Sequence, residues 1–291
     1  MIITRKGSNN IIMRNSQEIQ NTEVEYLTFP ELEKYKEVSH LFTTRVGGVS
    51  ENFLSTMNMS YSRGDSRENV NINYSRIAQV LNCSFEDFVC TMQTHTTNVL
   101  RVDHSHKGSG VAKELYYQDV DGLITNETGI VLTALFADCV PLYFYDPIHH
   151  AIGLAHSGWK GTLNQIGLIT VQKMQEEFGS KSEDIIAAIG PSICQDCYEI
   201  GNEVAEKFMD QFFDVKDEFL IKNKKFLTKN KNGKYNLDLW AVNELILMNA
   251  GLLPNHISTT DLCTCCNKDY LFSHRASNGK RGNLAAFLKL N

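Results

Sequence analysis

Three short apolar runs follow one another closely between Gly129 and Gly161, and they are the clearest pattern in the chain. They read "IVLTALFA", "VPLYFY" and "AIGLA", and the Pro-containing turn "DPIHH" separates the second run from the third. Unbroken apolar runs of about four to eight residues, bounded by turn residues, are typical of strands that are buried on both faces. The pattern therefore predicts three core strands, followed by the start of a helix.

Polar residues interrupt this apolar block at two places. Asp138 and Cys139 stand where the first run ends, and His156 stands where the third run ends. Such side chains are costly in a core unless they are paired, ionised or coordinated, so we predict that they form the functional site. His95 lies in a similar position, between the strand-like segments "FVCTM" and "VLRV". A single histidine near a strand is more often structural. Here the similar placement of Cys139 and His156 favours a functional role for His95.

Helical spacing of apolar residues is clear in several other segments. It predicts a helix from Ser66, a plausible N-cap, to Leu81. It predicts a second helix after His156 that stops at Gly179, whose first backbone N–H groups would offer an anion site beside the histidine. We also predict helices in "EVAEKFMDQFF" and "NLDLWAVNELILMNAG", a Lys-rich, hairpin-like segment between these two, and a helix at the end of the tail "LFSHRASNGKRGNLAAFLKL".

The organisation of the chain favours a single globular unit. The stretch "GSNNIIMRNSQEIQNTE" near the N-terminus is polar and rich in turn residues, as expected for an edge hairpin. No linker, repeat or low-complexity segment divides the remainder. We therefore expect residues 1–40 to form N-terminal strands or an extension, and residues 41–291 to form the main body of the same unit.

Composition narrows the class of protein. With 291 residues, 42% of them hydrophobic, the chain can fill a sizeable core. A net charge of −6 gives no support to nucleic-acid binding. The apolar runs are far shorter than the roughly 20 residues that span a bilayer, and "MIITRKG" lacks the apolar segment of a secretory signal. We expect a cytoplasmic protein whose eight cysteines are thiols or metal ligands.

Two cysteine-rich segments raise the possibility of a structural zinc site. Cys194 and Cys197 form a C-x-x-C in a Gly-Pro turn, and "LCTCC" supplies Cys263, Cys265 and Cys266. We interpret the second group as lacking the C-x-x-C spacing of the first, so a zinc site is the less favoured interpretation. The zinc deaminase signature is absent, because no histidine is followed two residues later by glutamate.

Two arginines are candidates for binding an anionic ligand. Arg45 follows the strand-like "LFTT" and precedes Gly47 and Gly48, which force a tight turn, so it is either a substrate clamp or an ordinary surface residue. Arg281 lies between two glycines near the C-terminus and could reach an anion.

Six motifs occur in an order that points to a known family. They are "TMQTHTTNV", "FADCVPL", "AHSGWKGT", "GPSICQDCYEIG", "LCTCC" and "FSHRASNGKRGN". From about Leu41 onward the chain resembles the YfiH/YlmD family, variously called laccase-like polyphenol oxidase and purine nucleoside phosphorylase. The resemblance implies a single α+β domain in which mixed sheets are layered between helices, an αββα-like sandwich. It also implies that His95, Cys139 and His156 are the metal ligands.

The resemblance implies zinc-dependent phosphorolysis of adenosine, inosine and S-methyl-5′-thioadenosine, together with adenosine deamination. Two imidazoles and one thiolate leave a fourth tetrahedral position open, as catalytic zinc requires. Copper-dependent phenol oxidation is the older ascription, and nine histidines make a multi-copper cluster less favoured. The expected partners are a purine nucleoside and phosphate, with neither nucleic acid nor membrane.

The chemistry suggests roles for the candidate residues. Cys139 and His156 would act at the reacting centre, and Asp138 would do acid–base work or orient a histidine. Arg45, Lys160 and Arg281 would bind substrate. Two other classes stay open: a hydrolase of cell-wall precursors with Cys139 as nucleophile and His156 as base, and a zinc-stabilised binding protein without turnover.

Overall fold

The computed structural model describes Thr4, residues 13–212 and residues 226–291. In these residues the strands are β1 (Met13–Ile19), β2 (Thr22–Thr28), β3 (Val38–Thr43), β4 (Phe88–Cys90), β5 (Val99–Arg101), β6 (Gly122–Thr125), β7 (Val131–Phe136), β8 (Val140–Asp146), β9 (Ala151–Ser157), β10 (Ile186–Ile189), β11 (Glu199–Ile200), β12 (Leu227–Lys229), β13 (Tyr235–Leu237), β14 (Ile257–Thr259) and β15 (Leu284–Leu290). The α-helices are α1 (Pro30–Glu33), α2 (Arg67–Val80), α3 (Trp159–Leu163), α4 (Ile166–Phe178), α5 (Asn202–Phe212) and α6 (Leu239–Asn249).

The long strands form two mixed sheets of six strands each within the described residues. The first sheet has the order β1-β2-β3-β15-β7-β4, and the second has the order β14-β10-β8-β9-β6-β5. Parallel pairs occur near the edges, at β4 with β7, β5 with β6 and β10 with β14, and the central pairs are antiparallel. Strands β11, β13 and β12 form a small separate sheet.

Strand β8 shows how the two sheets and the helices are layered. All seven of its residues are buried. Alternate side chains point to opposite faces of the sheet, and both faces are covered by other parts of the protein. Leu142 and Phe144 pack in the cluster shared with α4, α5 and α6, whereas Tyr143 and Tyr145 pack between the two sheets. On the other side, Tyr74 and its neighbours on α2 cover the outer face of the first sheet. The order of layers is helix, sheet, sheet, helix, so the expected single α+β domain with sheets layered between helices is confirmed.

Several predicted elements are present where the apolar pattern placed them. The three runs after Gly129 are β7, β8 and β9. The helix predicted from Ser66 is α2, and the Ser66 hydroxyl accepts a hydrogen bond from the backbone N–H of Asn69, as an N-cap does. The helices α5 and α6 also match their predictions.

The N-terminal segment adds an edge hairpin to the first sheet. Strands β1 and β2 pair antiparallel from Met13 opposite Thr28 to Ile19 opposite Thr22, and β2 then pairs with β3. The hairpin is therefore continuous with the sheet of the main body, and the boundary at residue 40 stays a prediction. No helix in the described part of the chain is long and apolar enough to cross a bilayer.

The prediction of one helix after His156 is wrong in one respect, because the segment forms two helices. Helix α3 ends at Leu163, and α4 begins after Gln165, whose φ of 60° lies in the left-handed region. A left-handed residue breaks the i to i−4 hydrogen-bond ladder, which apolar spacing alone does not reveal. Gly179 ends α4 in the left-handed conformation, as predicted. The anion site expected beside His156 would lie at the start of the short α3 and stays a prediction.

The predicted C-terminal helix is also wrong, because the segment is strand β15. It lies between β3 and β7 in the first sheet. Its Ala285 and Phe287 pack towards α2, and Ala286 and Leu288 pack between the sheets. A strand buried on both faces has no polar alternation, so its sequence is hard to distinguish from a short buried helix. The Lys-rich segment between α5 and α6 includes residues 213–225, which lie outside the described residues, and its later part is the predicted hairpin, β12 with β13.

Candidate metal centre

The candidate centre forms where the chain passes from one sheet to the other. Strands β8 and β9 pair antiparallel with Val140 opposite Ser157, so Cys139, just before β8, lies at the same end of the sheet as His156. His95 lies in the connection from β4 in the first sheet to β5 in the second. Residues that are far apart in sequence are therefore brought to one place by two crossovers between sheets.

His95, Cys139 and His156 form a compact group, called the triad below. One ligand atom from each lies within 4.8 Å of the others. The two imidazole rings are 5.0 Å apart between centroids and tilted by 50°. His156 is buried, Cys139 is half-buried and His95 is exposed. The group therefore has a protected side and a side open to a ligand.

Asp121 organises both histidines of the triad. One carboxylate oxygen accepts from Nδ1 of His156 at 2.8 Å and from the backbone N–H of His95 at 3.1 Å. The other oxygen accepts from the backbone N–H groups of Thr94 and Thr96 at 3.0 and 2.9 Å. With Nδ1 of His156 engaged in this way, Nε2 is left as its ligand atom, which is the usual pairing of a carboxylate with a metal-binding histidine.

The electrostatics of the triad favour a cation. Burial lowers the pKa of His156, but the charge of Cys139 and the hydrogen bonds with Asp121 and Cys139 outweigh it and raise the pKa to about 9. The pKa of His95 is lowered by burial and by the neighbouring His156. A sulfur and a carboxylate thus stabilise one positive charge next to a neutral imidazole. A divalent metal held by two neutral imidazoles and a thiolate satisfies the same requirement, so the residues present fit a metal ion.

Gly158 leaves room for the triad. A Cβ at this position would lie 2.7 Å from Nδ1 of His95 and 3.1 Å from the sulfur of Cys139. Both distances are below ordinary van der Waals contact, so any side chain would push the ligands apart. The glycine after "AHS" is therefore required by space at the centre and not by its backbone angles, since its φ is −74°.

Two residues near the centre have a left-handed backbone. His95 has a φ of 65° and Asp138 has a φ of 85°. Residues other than glycine pay about 1–3 kcal/mol for such conformations, and they concentrate at functional sites. At His95 the Asp121 hydrogen bond to the backbone N–H holds this conformation in place.

The triad opens into a cavity of about 370 Å³. This volume lies in the range of about 300–1,000 Å³ that is usual for small-molecule sites. Apolar and aromatic side chains line part of it, namely Met59, Tyr61, Tyr74, Met92, Leu115 and Leu135. Polar side chains line another part, namely Gln93, Arg63, Arg281 and Asn283. The combination suits a ligand that has both a flat apolar part and an anionic or hydroxylated part.

Two guanidinium groups face each other in this cavity. Arg63 Nε donates to the side-chain oxygen of Asn283 at 3.0 Å, and Nη1 of Arg281 donates to the same oxygen. Arg281 is only 8% exposed, and its Nε has no hydrogen-bond partner among the described residues. Burial and the neighbouring Arg63 lower the pKa of Arg281 to about 10, so it stays charged at neutral pH. Arg281 is buried and Arg63 is exposed, and two like charges that share one acceptor constitute a site for an anion.

Asp138 does not orient a histidine, as one of its predicted roles required. Its carboxylate accepts from the Thr264 hydroxyl at 2.6 Å and from the backbone N–H of Arg275 at 2.7 Å. The carboxylate that bonds His156 is Asp121. Asp138 is thus a buried anchor for two C-terminal loops next to Cys139, and its acid–base role stays a prediction.

The other predicted substrate residues lie in different places. Arg45 is outside the triad cavity: its guanidinium donates to the carbonyl oxygens of Ser55 and Lys268, both at 2.8 Å, and stacks on Phe272. This placement argues against the clamp predicted for Arg45. Lys160 is exposed on α3, and its charge contributes to the lowered pKa of His95, so it lies near the triad. Arg281 lines the cavity.

Sequence reasoning missed four residues of the centre. Asp121 precedes the buried strand β6 in the same way as Cys139 precedes β8, but its pairing with Gly122 is also typical of a turn and hides this signal. Gly158 lies two residues after His156, and this short spacing is the signal that could have identified it. Arg63 and Asn283 come from loops without periodic pattern, and only the folded chain brings them together.

The layered fold is shared with one protein family. Residues 39–291 match the family described as multi-copper polyphenol oxidoreductase laccase, and the chain belongs to this family, also known by its members YfiH and YlmD. Purine nucleoside phosphorylase YlmD of Bacillus subtilis is 37% identical over 255 residues, which cover 87% of this chain and 88% of that protein. A purine nucleoside phosphorylase of Bacteroides thetaiotaomicron is 33% identical over 91% of this chain and 96% of its own length.

Solved structures of the same family share the fold. The crystal structure of YlmD from Geobacillus stearothermophilus has a TM-score of 0.84 and 32% identity, and the match covers 96% of this chain and 100% of that one. The structure of Bacillus licheniformis YfiH gives the same TM-score at 32% identity, over 95% of this chain and 99% of that one. The family expected from the six motifs is therefore confirmed.

Proposed function

We propose that this protein is a zinc-dependent purine nucleoside phosphorylase that acts on adenosine, inosine and S-methyl-5′-thioadenosine, and that it also deaminates adenosine. The names of its relatives support the first activity. The observation that carries the proposal is that Arg63 and Arg281 line the same cavity as the triad. Phosphorolysis requires an anion held beside a nucleoside, and this cavity offers cationic donors, apolar surface and a metal-binding group together.

The cavity residues can perform the positioning that phosphorolysis demands. The reaction replaces the bond from the anomeric carbon to the base nitrogen by a bond from that carbon to a phosphate oxygen. Arg63 and Arg281 would hold the phosphate through charge-assisted hydrogen bonds, and Asn283 fixes both guanidinium groups before the phosphate binds. Tyr61 and Leu115 belong to the apolar lining that would receive the purine ring.

The donor set of the triad favours zinc. Two imidazole nitrogens and one thiolate are zinc ligands, and they leave one of four tetrahedral positions for water or substrate. When bound, the ion would supply Lewis-acid activation of a water or of a substrate oxygen, as deamination needs. Asp121 would keep His156 oriented throughout, because its carboxylate is held by three backbone N–H groups as well.

Copper-dependent phenol oxidation is the second candidate activity, and the description of the matched family supports it. A multi-copper centre requires several clustered histidines. In the part of the chain that the structure describes, the triad is the only group of three or more potential ligands that includes a histidine. This donor set favours a mononuclear site over a copper cluster.

The thiol ligand also bears on where the protein acts. Cys139 can bind a metal only as a reduced sulfur, and the reducing cytoplasm keeps thiols in that form. We therefore place the activity in the cytoplasm.

A product assay on metal-quantified protein tests the proposal. Inosine and adenosine are incubated with and without phosphate, and the products are separated by chromatography. We expect free base and ribose 1-phosphate only when phosphate is present, and inosine from adenosine in either buffer. Chelation should remove both activities and added zinc should restore them. Failure of protein with a zinc-loaded triad to convert either nucleoside would refute the proposal.

Cys139→Ser separates the metalloenzyme from the two other classes. Under our proposal the variant loses the zinc of the triad together with its activity. A Cys–His hydrolase of cell-wall precursors would lose activity but keep its metal content unchanged. A zinc-stabilised binding protein would unfold on chelation without any turnover to lose.

A further inference from the structure

Four cysteines outside the triad come together in the folded chain. Cys194, Cys197, Cys263 and Cys266 each contribute one sulfur, and the four sulfurs lie within 4.8 Å of one another. The sequence-based argument against a zinc site here is wrong, because Cys263 and Cys266 are separated by two residues and do have C-x-x-C spacing. Cys265, the additional cysteine of "LCTCC", obscured this pattern, and it is not a member of the four-cysteine cluster.

The distances within the four-cysteine cluster match a tetrahedral site. The sulfur of Cys266 lies 3.5 Å from that of Cys197 and 4.0 Å from that of Cys194. Four sulfurs at the usual zinc–sulfur distance of about 2.3 Å are about 3.8 Å apart at the corners of a tetrahedron. A disulfide would place two sulfurs about 2.05 Å apart, which is far closer than the separations found here.

Backbone groups surround the cluster in a way that favours thiolates. The N–H groups of Cys194 and Cys266 both point at the sulfur of Cys263, at 3.2 and 3.3 Å. Donors directed at a buried sulfur stabilise its anionic form, and several buried anions in contact require a cation. Cys194 and Cys263 are buried, and Cys197 and Cys266 are half-buried.

We propose that the four-cysteine cluster binds a second zinc ion, with a structural role. Four sulfur ligands fill the coordination sphere of zinc and leave no position for substrate, which distinguishes structural sites from catalytic ones. Sulfur-only tetrahedral ligand sets select zinc or iron, and mononuclear zinc needs no further component. The site is separate from the triad, because the two groups share no ligand.

The position of the cluster explains what a metal would hold together. Cys194 and Cys197 lie after β10, and Cys263 and Cys266 lie after β14, so the ion would clamp the two connections that leave this edge of the second sheet. Thr264 directly follows the ligand Cys263. Its backbone N–H donates to the carbonyl oxygen of Ser192, and its hydroxyl donates to the carboxylate of Asp138.

The clamp reaches the triad through Asp138. Its carboxylate joins the Thr264 loop to the Arg275 loop, and Asp138 immediately precedes the triad ligand Cys139. Arg275 in turn donates to the carbonyl oxygens of Cys197 and Glu199. A zinc ion at the cluster would therefore stabilise the loops that hold Cys139 in place.

Zinc stoichiometry of single-serine variants tests the second site. Wild-type protein purified under reducing conditions should contain two zinc ions per chain by mass spectrometry of the metal. Cys266→Ser and Cys139→Ser should each contain one, and the combined variant none. Cys265→Ser is the matched control from the same loop and should keep two. A Cys266→Ser variant that keeps all the zinc of the wild type, or equal loss in Cys265→Ser and Cys266→Ser, would overturn the proposal.

X-ray absorption at the zinc edge covers the case in which Cys266→Ser fails to fold. In Cys139→Ser the remaining zinc should show four sulfur neighbours at about 2.3 Å and no nitrogen neighbours. A spectrum with nitrogen or oxygen neighbours, or the absence of bound zinc, would contradict a four-sulfur site. Peptide mapping of wild type that finds a Cys197–Cys266 disulfide would assign the cluster to thiol–disulfide chemistry instead.

Discussion

At the scale of the residue, Asp121 has the greatest influence on the candidate centre. Its two carboxylate oxygens accept five hydrogen bonds. The donors are the His156 ring, the backbone N–H groups of His95, Thr94 and Thr96, and the Thr96 hydroxyl. Replacement by an amide removes the charge and turns one acceptor into a donor. The group that orients His156 would therefore face N–H donors that it cannot satisfy.

We expect Asp121→Asn to weaken zinc binding at the triad by about 10- to 100-fold, the usual cost of losing a carboxylate behind a histidine ligand. The measurement is competition with a chromophoric chelator. Asp119→Asn is the matched control, because Asp119 lies in the same loop and its side chain accepts only from the exposed Thr94 hydroxyl in the bonds described. Equal losses of affinity in both variants would show that Asp121 has no special role.

The residues that sequence reasoning found and missed follow a physical rule. Cys139 and His156 were found because a polar side chain at the end of an apolar strand is costly without a partner. Asp121 obeys the same rule but was overlooked, since the aspartate–glycine pair also predicts a turn. Arg63 has no local signal, because its contact with Asn283 spans 220 residues of sequence.

At the scale of the element, the connection between β2, α1 and β3 contains a buried histidine. Nε2 of His40 on β3 accepts the backbone N–H of Phe29, which precedes α1, at 2.8 Å. Burial lowers the pKa of His40 from 6.5 to about 3. The imidazole is therefore neutral in the folded protein at every pH above about 3.

This histidine makes stability depend on pH. Below pH 6.5 the unfolded chain binds a proton at His40 and the folded chain does not, so the free energy of unfolding falls by about 1.4 kcal/mol per pH unit from this group. Between pH 7.5 and pH 5 the loss is about 2 kcal/mol. His40→Gln keeps an acceptor for Phe29 but does not titrate, so its loss over the same range should be smaller by that amount.

Urea unfolding of both proteins at the two pH values, at matched metal content, measures the difference. The rest of the chain titrates identically in the two proteins and cancels in the comparison. Parallel pH dependence of wild type and His40→Gln would contradict the neutral, buried imidazole.

The elements show which parts of the fold a linear pattern can predict. Strands β7, β8 and β9 and helix α2 have patterns with one interpretation, and all were predicted. Strand β15 was mistaken for a helix, since seven residues with apolar groups on both faces fit either structure. The break at Gln165 is a left-handed backbone conformation, which the spacing of apolar residues does not encode.

At the scale of the whole molecule, distant loops assemble the proposed phosphate site. Arg63 precedes α2, whereas Arg281 and Asn283 precede β15. Without an anion the two guanidinium groups repel each other, which is one cause of the lowered pKa of Arg281. A bound phosphate would relieve this repulsion and stabilise the fold by mass action.

We therefore expect phosphate to raise the melting temperature of metal-loaded wild type. At a phosphate concentration of 100 times the dissociation constant, the free energy of unfolding should increase by about 2.7 kcal/mol. Arg281→Gln should lose most of this shift. Arg45→Gln, which removes an arginine outside the cavity, should retain it. Differential scanning calorimetry at constant ionic strength gives the measurement, and an equal shift with chloride in place of phosphate would contradict a specific site.

The place of β15 has a consequence for biosynthesis. This strand is translated long after β3 and β7, yet it pairs with β3 on one side and β7 on the other. Until it leaves the ribosome, the nascent chain has a gap in the middle of its first sheet, with two open strand edges that invite pairing with other chains. A polypeptide truncated before Leu284 would therefore keep these two edges unpaired and would be prone to aggregation.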